Sequence, residues 1–334
     1  MKMELVKEQE WHKRRAFYVS SIQPFTRSYR ERKGKGLSHP IYDFLFSYYT
    51  FSSTKLEKWH PGYGVVLEIK DETRAKELLE NPLYQHRETG SSTIQITLSA
   101  EKLKDRERKQ LSWIHSLCKS INQRTPRFAC YGLHEWAMVY KSPEVRHPYP
   151  LRLCTDEIES FIDSSTIVCS HFDAFRFFTP QAAPLNILQP NADTRLAHEQ
   201  GGCLHANMDL YKWAFKLLPW VSSELVRESF LLATKTREID MRASPYDFSM
   251  LGFEPIKVET ASGQAQYKDA QKEIALEASI IRDKLILQIE TIWQDLGGLQ
   301  IEATGLDNLP IYPSREEIPS LGKKNKMGMS HPNS

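Results

Sequence analysis

Between His198 and Asp209 the chain reads HEQGGCLHANMD, two histidines, two carboxylates and a cysteine in twelve residues. His205 and Asp209 are four apart, so on a helix their side chains share a face one turn apart. A second cluster, His134-Glu135, lies in YGLHEWAMVY, and a third, His171-x-Asp173, opens HFDAFRFF. Each pairs an imidazole with a carboxylate beside aromatic or apolar residues. A single such pair is also what a helix start or a hydrogen-bonded core histidine looks like. Three of them over roughly eighty residues point to a common site. Imidazole with carboxylate is the ligand set of zinc, iron or manganese. It is equally the set for general acid–base catalysis, in which a carboxylate orients the ring. The residue types leave both chemistries open. For a divalent metal the candidate ligands are His134, His171, His205 and Asp209. For acid–base work they are Glu135, Asp173, Asp209 and His205. His198, Glu199 and Cys203 are outer members of the common pocket, Cys203 as a soft ligand or a core residue.

Those groups need elements to hold them. After Asp209, Leu210, Trp213, Ala214, Leu217 and Leu218 recur at the spacing of a helix with one buried face. Gly201 and Gly202 let the backbone turn into it. The same periodicity predicts helices over 101–123, from a cap at Ser222 or Ser223 to about Asp240, and over 266–295, the longest, packed across the core. Shorter helices are expected over 3–18, along the aromatic run IYDFLFSYYTF, and over 73–81 and 155–161. Residues 93–98 alternate as a strand, 65–69 read as a strand or a helix start, and 258–260 as an edge strand. Residues 166–169 form a β-like run whose extended continuation would turn His171 and Asp173 the same way. Arg27, Arg30, Arg32, Lys33 and Lys35, with Gly34 and Gly36, read as a basic loop, either simply solvated or touching phosphates. The expected fold is mainly α with a few short strands. Residues 1–38 form an N-terminal helix and basic loop, 39–296 a single compact helical domain of catalytic type, and 297–334 a poorly ordered tail.

Composition narrows the classes. The 334 residues are 40% hydrophobic and 26% charged, an ordinary globular balance that supports a sizeable core. The formal net charge of +2 supplies no global field for nucleic acid or membrane. Five cysteines without a CxxC pair argue against a disulfide framework or a zinc ribbon. No run of roughly eighteen apolar residues is present, and the charged start MKMELVKEQEWHKRR lacks an apolar signal segment, so no membrane partner and a cytoplasmic location are expected. A phosphate loop, a GxGxxG fingerprint, a GxSxG elbow and an HExxH helix are all missing, which sets aside nucleotide-triphosphate enzymes, serine hydrolases and the common metalloproteases.

The strings HPIYDFLFSYY, KWHPGYGVVLE, YGLHEWAMVY, HFDAFRFFTP, GCLHANMDLYKWAFKL and DMRASPYDF resemble a bacterial family of 3-methyladenine DNA glycosylases, from about residue 39 to about residue 285. The resemblance implies a hydrolase that cleaves the N-glycosidic bond of a modified base. Such an enzyme flips the base into an aromatic pocket and uses a carboxylate to activate water or steady the sugar cation. Trp136, Phe175, Phe177 and Tyr211 are then candidates to stack on the base, Arg242 is a polar anchor, and Glu135, Asp173 or Asp209 supplies the carboxylate. The partner would be DNA or a nucleobase-containing small molecule. The near-neutral charge weighs against a duplex, which needs several phosphate contacts. Two other classes stay open: a metal-dependent oxygenase or hydrolase (Zn, Fe or Mn) of a small aromatic or nucleoside-like metabolite, and a non-catalytic binding protein, in which the polar clusters would be dispersed and capped.

Overall fold

Apolar spacing decides most of the elements. The structure, a computed structural model, describes residues 3–88, 93–143, 145 and 147–296. The tail expected over 297–334 lies outside the described residues. Among these residues there are twelve α-helices and one small sheet, and the chain is mainly helical. The helices are α1 (Glu8–Gly34), α2 (Phe44–Ser47), α3 (Ser53–Leu56), α4 (Glu72–Leu79), α5 (Asp105–Gln123) and α6 (Leu133–Ala137), then α7 (Thr155–Asp163), α8 (Phe172–Phe175), α9 (Arg195–His198), α10 (Leu204–Lys216), α11 (Ser223–Arg242) and α12 (Ala261–Asp295). The strands are β1 (Glu4–Val6), β2 (Val65–Ile69), β3 (Tyr84–His86) and β4 (Ile94–Leu98), in the order β1-β2-β4-β3. β1 runs parallel to β2, and the other pairs are antiparallel. The described residues belong to one unit.

The three long C-terminal helices carry the core. On α12, Tyr267, Ile274, Ala278, Ile281, Leu285, Ile289 and Ile292 are buried at three- and four-residue steps. That stripe packs against α5, α10 and α11, and α10 lies most extensively on α11. Thr260 caps α12 by accepting from the Gly263 N–H, and Ser222 caps α11 by accepting from the Leu225 N–H. Among the described residues no helix is long and apolar enough to cross a membrane.

Several expectations need correction. The basic stretch is not a loop. Arg27, Arg30, Arg32 and Lys33 ride on the last turns of α1, and Lys35 is its C-terminal cap. Trp11, Tyr18, Ile22 and Thr26 form its buried stripe, and that stripe holds the helix through Pro24, where one backbone N–H is missing. Arg32 is paired with Asp43, and Arg30 with Glu57 at 2.9 Å, so two of the five cations are already compensated. The aromatic run 41–51 yields only α2, because Thr50 turns left-handed at φ 54°. Residues 258–260 form no strand: Val258 is buried and Thr260 serves as the α12 cap.

One turn of the fold is sensitive to pH. The His60 N–H donates to the Ser223 hydroxyl at 2.8 Å, and its Nδ1 lies 3.1 Å from the Tyr84 hydroxyl. Burial there disfavours the charged ring and, with Lys58 nearby, lowers its pKa to about 4. The unfolded chain, with a histidine near 6.5, therefore takes up the proton first. Stability is full above about pH 6.5 and is lost as pH falls towards 4, by up to about 3 kcal/mol. Urea melts at pH 7.5 and 4.5 are expected to show this loss in the wild type and much less of it in His60→Gln. Equal losses in both would remove His60 as the cause.

Candidate functional site

The three clusters are gathered into one buried centre by five short or helical segments. α6 brings His134 and Glu135. It is entered through two successive left-handed residues, Tyr131 at φ 46° and Gly132 at φ 71°. A non-glycine residue in that region is uncommon, and such strain concentrates at functional sites. His171 is the N-terminal cap residue of α8, and Asp173 stands in its first turn. The run is therefore helical where an extended segment was expected, yet the two side chains still approach. α9 provides Arg195, with Glu199 directly after it. α10 provides His205, Asp209 and Lys212, and α11 provides Arg237 and Asp240.

The start of α10 is held by uncharged side chains. Gln200 Oε1 accepts from the Arg127 N–H at 2.9 Å and the Gly202 N–H at 2.6 Å, and its Nε2 donates to the Arg127 carbonyl at 3.2 Å. Asn207 donates to the Gly201 carbonyl at 2.8 Å, and Gln271 to the Gly202 carbonyl at 2.7 Å. A Cβ on Gly202 would stand 2.2 Å from the Arg127 carbonyl oxygen, so only glycine permits this approach.

The centre has two halves. In the first, His134 Nε2 lies 2.9 Å from Asp240 Oδ1, and His205 Nε2 lies 3.8 Å from Asp240 Oδ2. One ligand atom from each of the three falls within 4.8 Å of the others. Beyond that ion pair, neither His134 Nε2 nor Asp240 Oδ1 has a hydrogen-bond partner, although both are buried. Arg237 Nη1 bridges Asp240 at 2.9 Å and Glu135 at 3.0 Å. Burial opposes protonation of His134, but Asp240 outweighs it and holds the ring well above its ordinary pKa. Burial, with His134 close by, lowers His205 to about 3.

In the second half, His171 Nε2 lies 3.4 Å from Asp209 Oδ2 and 3.7 Å from Glu199 Oε1. Asp209 is heavily engaged. It accepts from the Tyr49 hydroxyl at 2.7 Å and from Lys212 at 3.0 Å. Asp173 is paired with Arg195, and with Lys212 at 3.1 Å. Glu199 is fully buried and neither of its oxygens makes a hydrogen bond. Burial raises its pKa, against the pull of His171. The halves meet at the rings: His205 sits edge-on to His134 at 4.4 Å and stacks on His171 at 5.4 Å.

This arrangement redistributes the expected roles. His205 and Asp209 do share a helix face, but they serve different halves. His134 and His205 converge with Asp240. His171, Asp173 and Asp209 also fall within ligand distance of one another, but Arg195 and Lys212 already neutralise that half, which disfavours a further cation there. Glu135 is tied to Arg237. Trp136 is sealed in the core, donating to the Ala243 carbonyl at 2.9 Å, and Tyr211 is buried among Tyr49, Phe51 and Phe230, so neither has a face to offer a base. Phe175 packs on Phe178 at 5.1 Å. Arg242 is held by the Glu254 carbonyl at 2.8 Å and by Glu238 at 3.6 Å, neither of them in the centre. Phe177 alone of the four expected aromatics lines a cavity at the centre. That cavity, about 40 Å³, also touches Tyr48, Glu135, Asp173, His205 and Arg237. It has room for a water or two and not for a flipped base. Cys203 is the buried cap residue of α10.

Sequence reasoning missed Asp240, Arg237, Glu199 as a central member, Arg195, Lys212 and Tyr49. The signal for the first two was available: Val226, Phe230, Ala233, Arg237 and Asp240 follow one another at steps of four and three on the buried side of α11. A charge on that stripe requires a partner. No family model matches the chain, and neither a curated protein nor a solved structure does. Residue roles therefore rest on this geometry.

Proposed function

We propose that the protein is a metal-dependent hydrolase in which His134, His205 and Asp240 hold one divalent ion. The observation that carries this is the convergence of two histidine nitrogens on a buried carboxylate, with His134 Nε2 and Asp240 Oδ1 2.9 Å apart and neither hydrogen-bonded outside that pair. Two histidines and one carboxylate are a known catalytic ligand set with open coordination positions. An ion held there would make bound water a stronger acid and would polarise the bond under attack.

The remaining residues supply what such a reaction needs. Arg237 fixes Asp240 through one oxygen and leaves the other for the ion. Glu199, buried and without hydrogen bonds, is suited to take up and return a proton through His171. The cavity of about 40 Å³ beside His205 is sized for the water. The N-glycosidic bond of a modified base, implied by the sequence resemblance, is the first bond to assay. The gathering of the three clusters favours a site over a scaffold that merely caps its polar groups.

Elemental analysis of the full chain, purified without added metal, tests the assignment. About one equivalent of zinc or manganese, removed by chelation together with hydrolytic activity, is the expected result. Stoichiometric iron with ligand-dependent consumption of dioxygen would make the centre an oxygenase, the other chemistry this ligand set serves. Release of free base by protein that holds no metal would replace the proposal with a metal-free glycosylase.

A further inference from the structure

A second, larger pocket, of about 670 Å³, adjoins the centre and shares Tyr48 and Asp173 with the small cavity. Its walls present five cations, Lys109, Arg176, Arg195, Lys212 and Lys216, against one carboxylate, Asp173. Arg195 and Lys212 are spent on Asp173 and Asp209. Arg176 reaches Asp173 only at 3.5 Å. Lys109 and Lys216 add positive charge with no further acid in the wall. Partial desolvation of the Lys216 ammonium, and then Lys212 nearby, lowers its pKa against the pull of Asp209. Trp213 lines the same pocket, and its buried Nε1–H makes no hydrogen bond. The pocket is thus rich in donors and poor in acceptors.

The other walls are aromatic. Phe51, Trp113 and Trp213 are among them, with Trp113 edge-on to Trp213 at 5.0 Å and itself exposed. Flat rings beside surplus cations suit a ligand with a π-face and a multiply charged anionic group. A monocarboxylate would offset only one charge, whereas a phosphate monoester carries nearly two. The volume lies in the usual range for a small organic ligand, about 300–1,000 Å³. The larger groove lined by Trp11, Trp59 and His60, about 870 Å³, carries Glu57, Glu77 and Glu80 among its cations and lacks the residues of the centre.

We propose that this pocket binds a nucleoside monophosphate, with its phosphate held by Lys109, Arg176 and Lys216 and its base against the exposed face of Trp113. The assignment of that ligand as substrate of the adjoining centre rests on the hydrolase proposal; the binding itself does not. A free mononucleotide is favoured over a nucleic-acid end because the pocket is of single-ligand size.

Calorimetric titration of the full chain with AMP, GMP, CMP and UMP, with their nucleosides, with inorganic phosphate and with a 5′-phosphorylated single strand tests it. At least one monophosphate is expected to bind tenfold or more tighter than its nucleoside and than inorganic phosphate, and to weaken as salt rises. Lys109→Ala and Lys216→Ala are each expected to weaken it about tenfold, and Trp113→Ala severalfold, with unchanged thermal melts. Lys109 and Lys216 are exposed, so folding is not at stake. Failure of every monophosphate to bind, equal affinity for nucleoside and nucleotide, or wild-type affinity in both lysine variants would overturn the proposal. So would a single strand binding more than tenfold tighter than any mononucleotide. Metal content is measured on the same samples. Metal-free protein that still binds the nucleotide keeps this pocket and removes the hydrolase, and metal-loaded protein that binds none does the reverse.

Discussion

Asp240→Asn is expected to strip the metal from the protein. Asp240 is the only carboxylate of the His134, His205 and Asp240 group, and its Oδ1 has no other partner. Partners one shell removed from a metal commonly contribute 10–100-fold to affinity, so loss of the charged ligand itself should exceed about 100-fold. Hydrolysis should fall at least as far. The substitution has a second effect. It leaves buried Arg237 with Glu135 as its remaining counter-charge and removes the carboxylate that keeps His134 charged against burial. Breaking a buried pair in this way costs about 3–5 kcal/mol, so a melt alone would not separate ligand loss from partial unfolding. His205→Gln separates them. Among the ion pairs described, His205 contacts only Asp240, at 3.8 Å, and its ring is neutral at physiological pH because burial lowers it to about 3. That variant is expected to lose metal and activity while costing about 1 kcal/mol of stability. Metal retained at one equivalent in both variants would end the assignment.

Asp209→Asn is expected to behave in the opposite way. The sequence alone sets Asp209 beside His205 as a ligand, but the structure gives its oxygens to Tyr49 and Lys212. Burial opposes its ionisation, and Lys212 and then His171 outweigh it, so the carboxyl is held well below its ordinary range. Its contribution is therefore present above the unfolded value near pH 4 and is lost as pH falls further. Neutralising it leaves Lys212 and its neighbours under-compensated, at about 3–5 kcal/mol. The melting temperature at pH 7 should drop by roughly 10 °C, with metal content unchanged, and the deficit should shrink in acid. An unchanged melt with lost metal would move Asp209 into the ligand set and Asp240 out of it.

How much of this was legible in the sequence depends on the kind of signal. α5, α10, α11 and α12 were readable because each buries a stripe at helical spacing, and burial is what stabilises them. The strand over Val65–Ile69 was ambiguous because a five-residue apolar run fits either period. α1 runs past the expected end at 18 because a run of cations with Gly34 and Gly36 reads as a loop, whereas its buried stripe of Trp11, Tyr18 and Ile22 is set by packing. The histidines announced themselves by type. Their grouping did not: His205 and Asp209 lie one turn apart on one helix, and which neighbour each meets is decided by how α6, α8 and α11 approach it. Glu199, a remote candidate from sequence, proves fully buried.

The side-chain amides that grip the segment before His205 have a consequence in time. Gln200 and Gln271 hold the N–H and the carbonyl of Gly202, Asn207 holds the carbonyl of Gly201, and Gly202 is pressed against Arg127. Opening this segment means breaking several buried bonds at once, and such regions exchange their amide hydrogens only when much of the molecule opens. Backbone hydrogens from 202 to 209 should be among the last to exchange with deuterium. His205 is then presented by a wall that stays still on the timescale of ligand exchange. Admission of anything larger than water falls to the opposite wall, where Tyr48 ends α2 and Asp173 rides on α8, helices of four residues each.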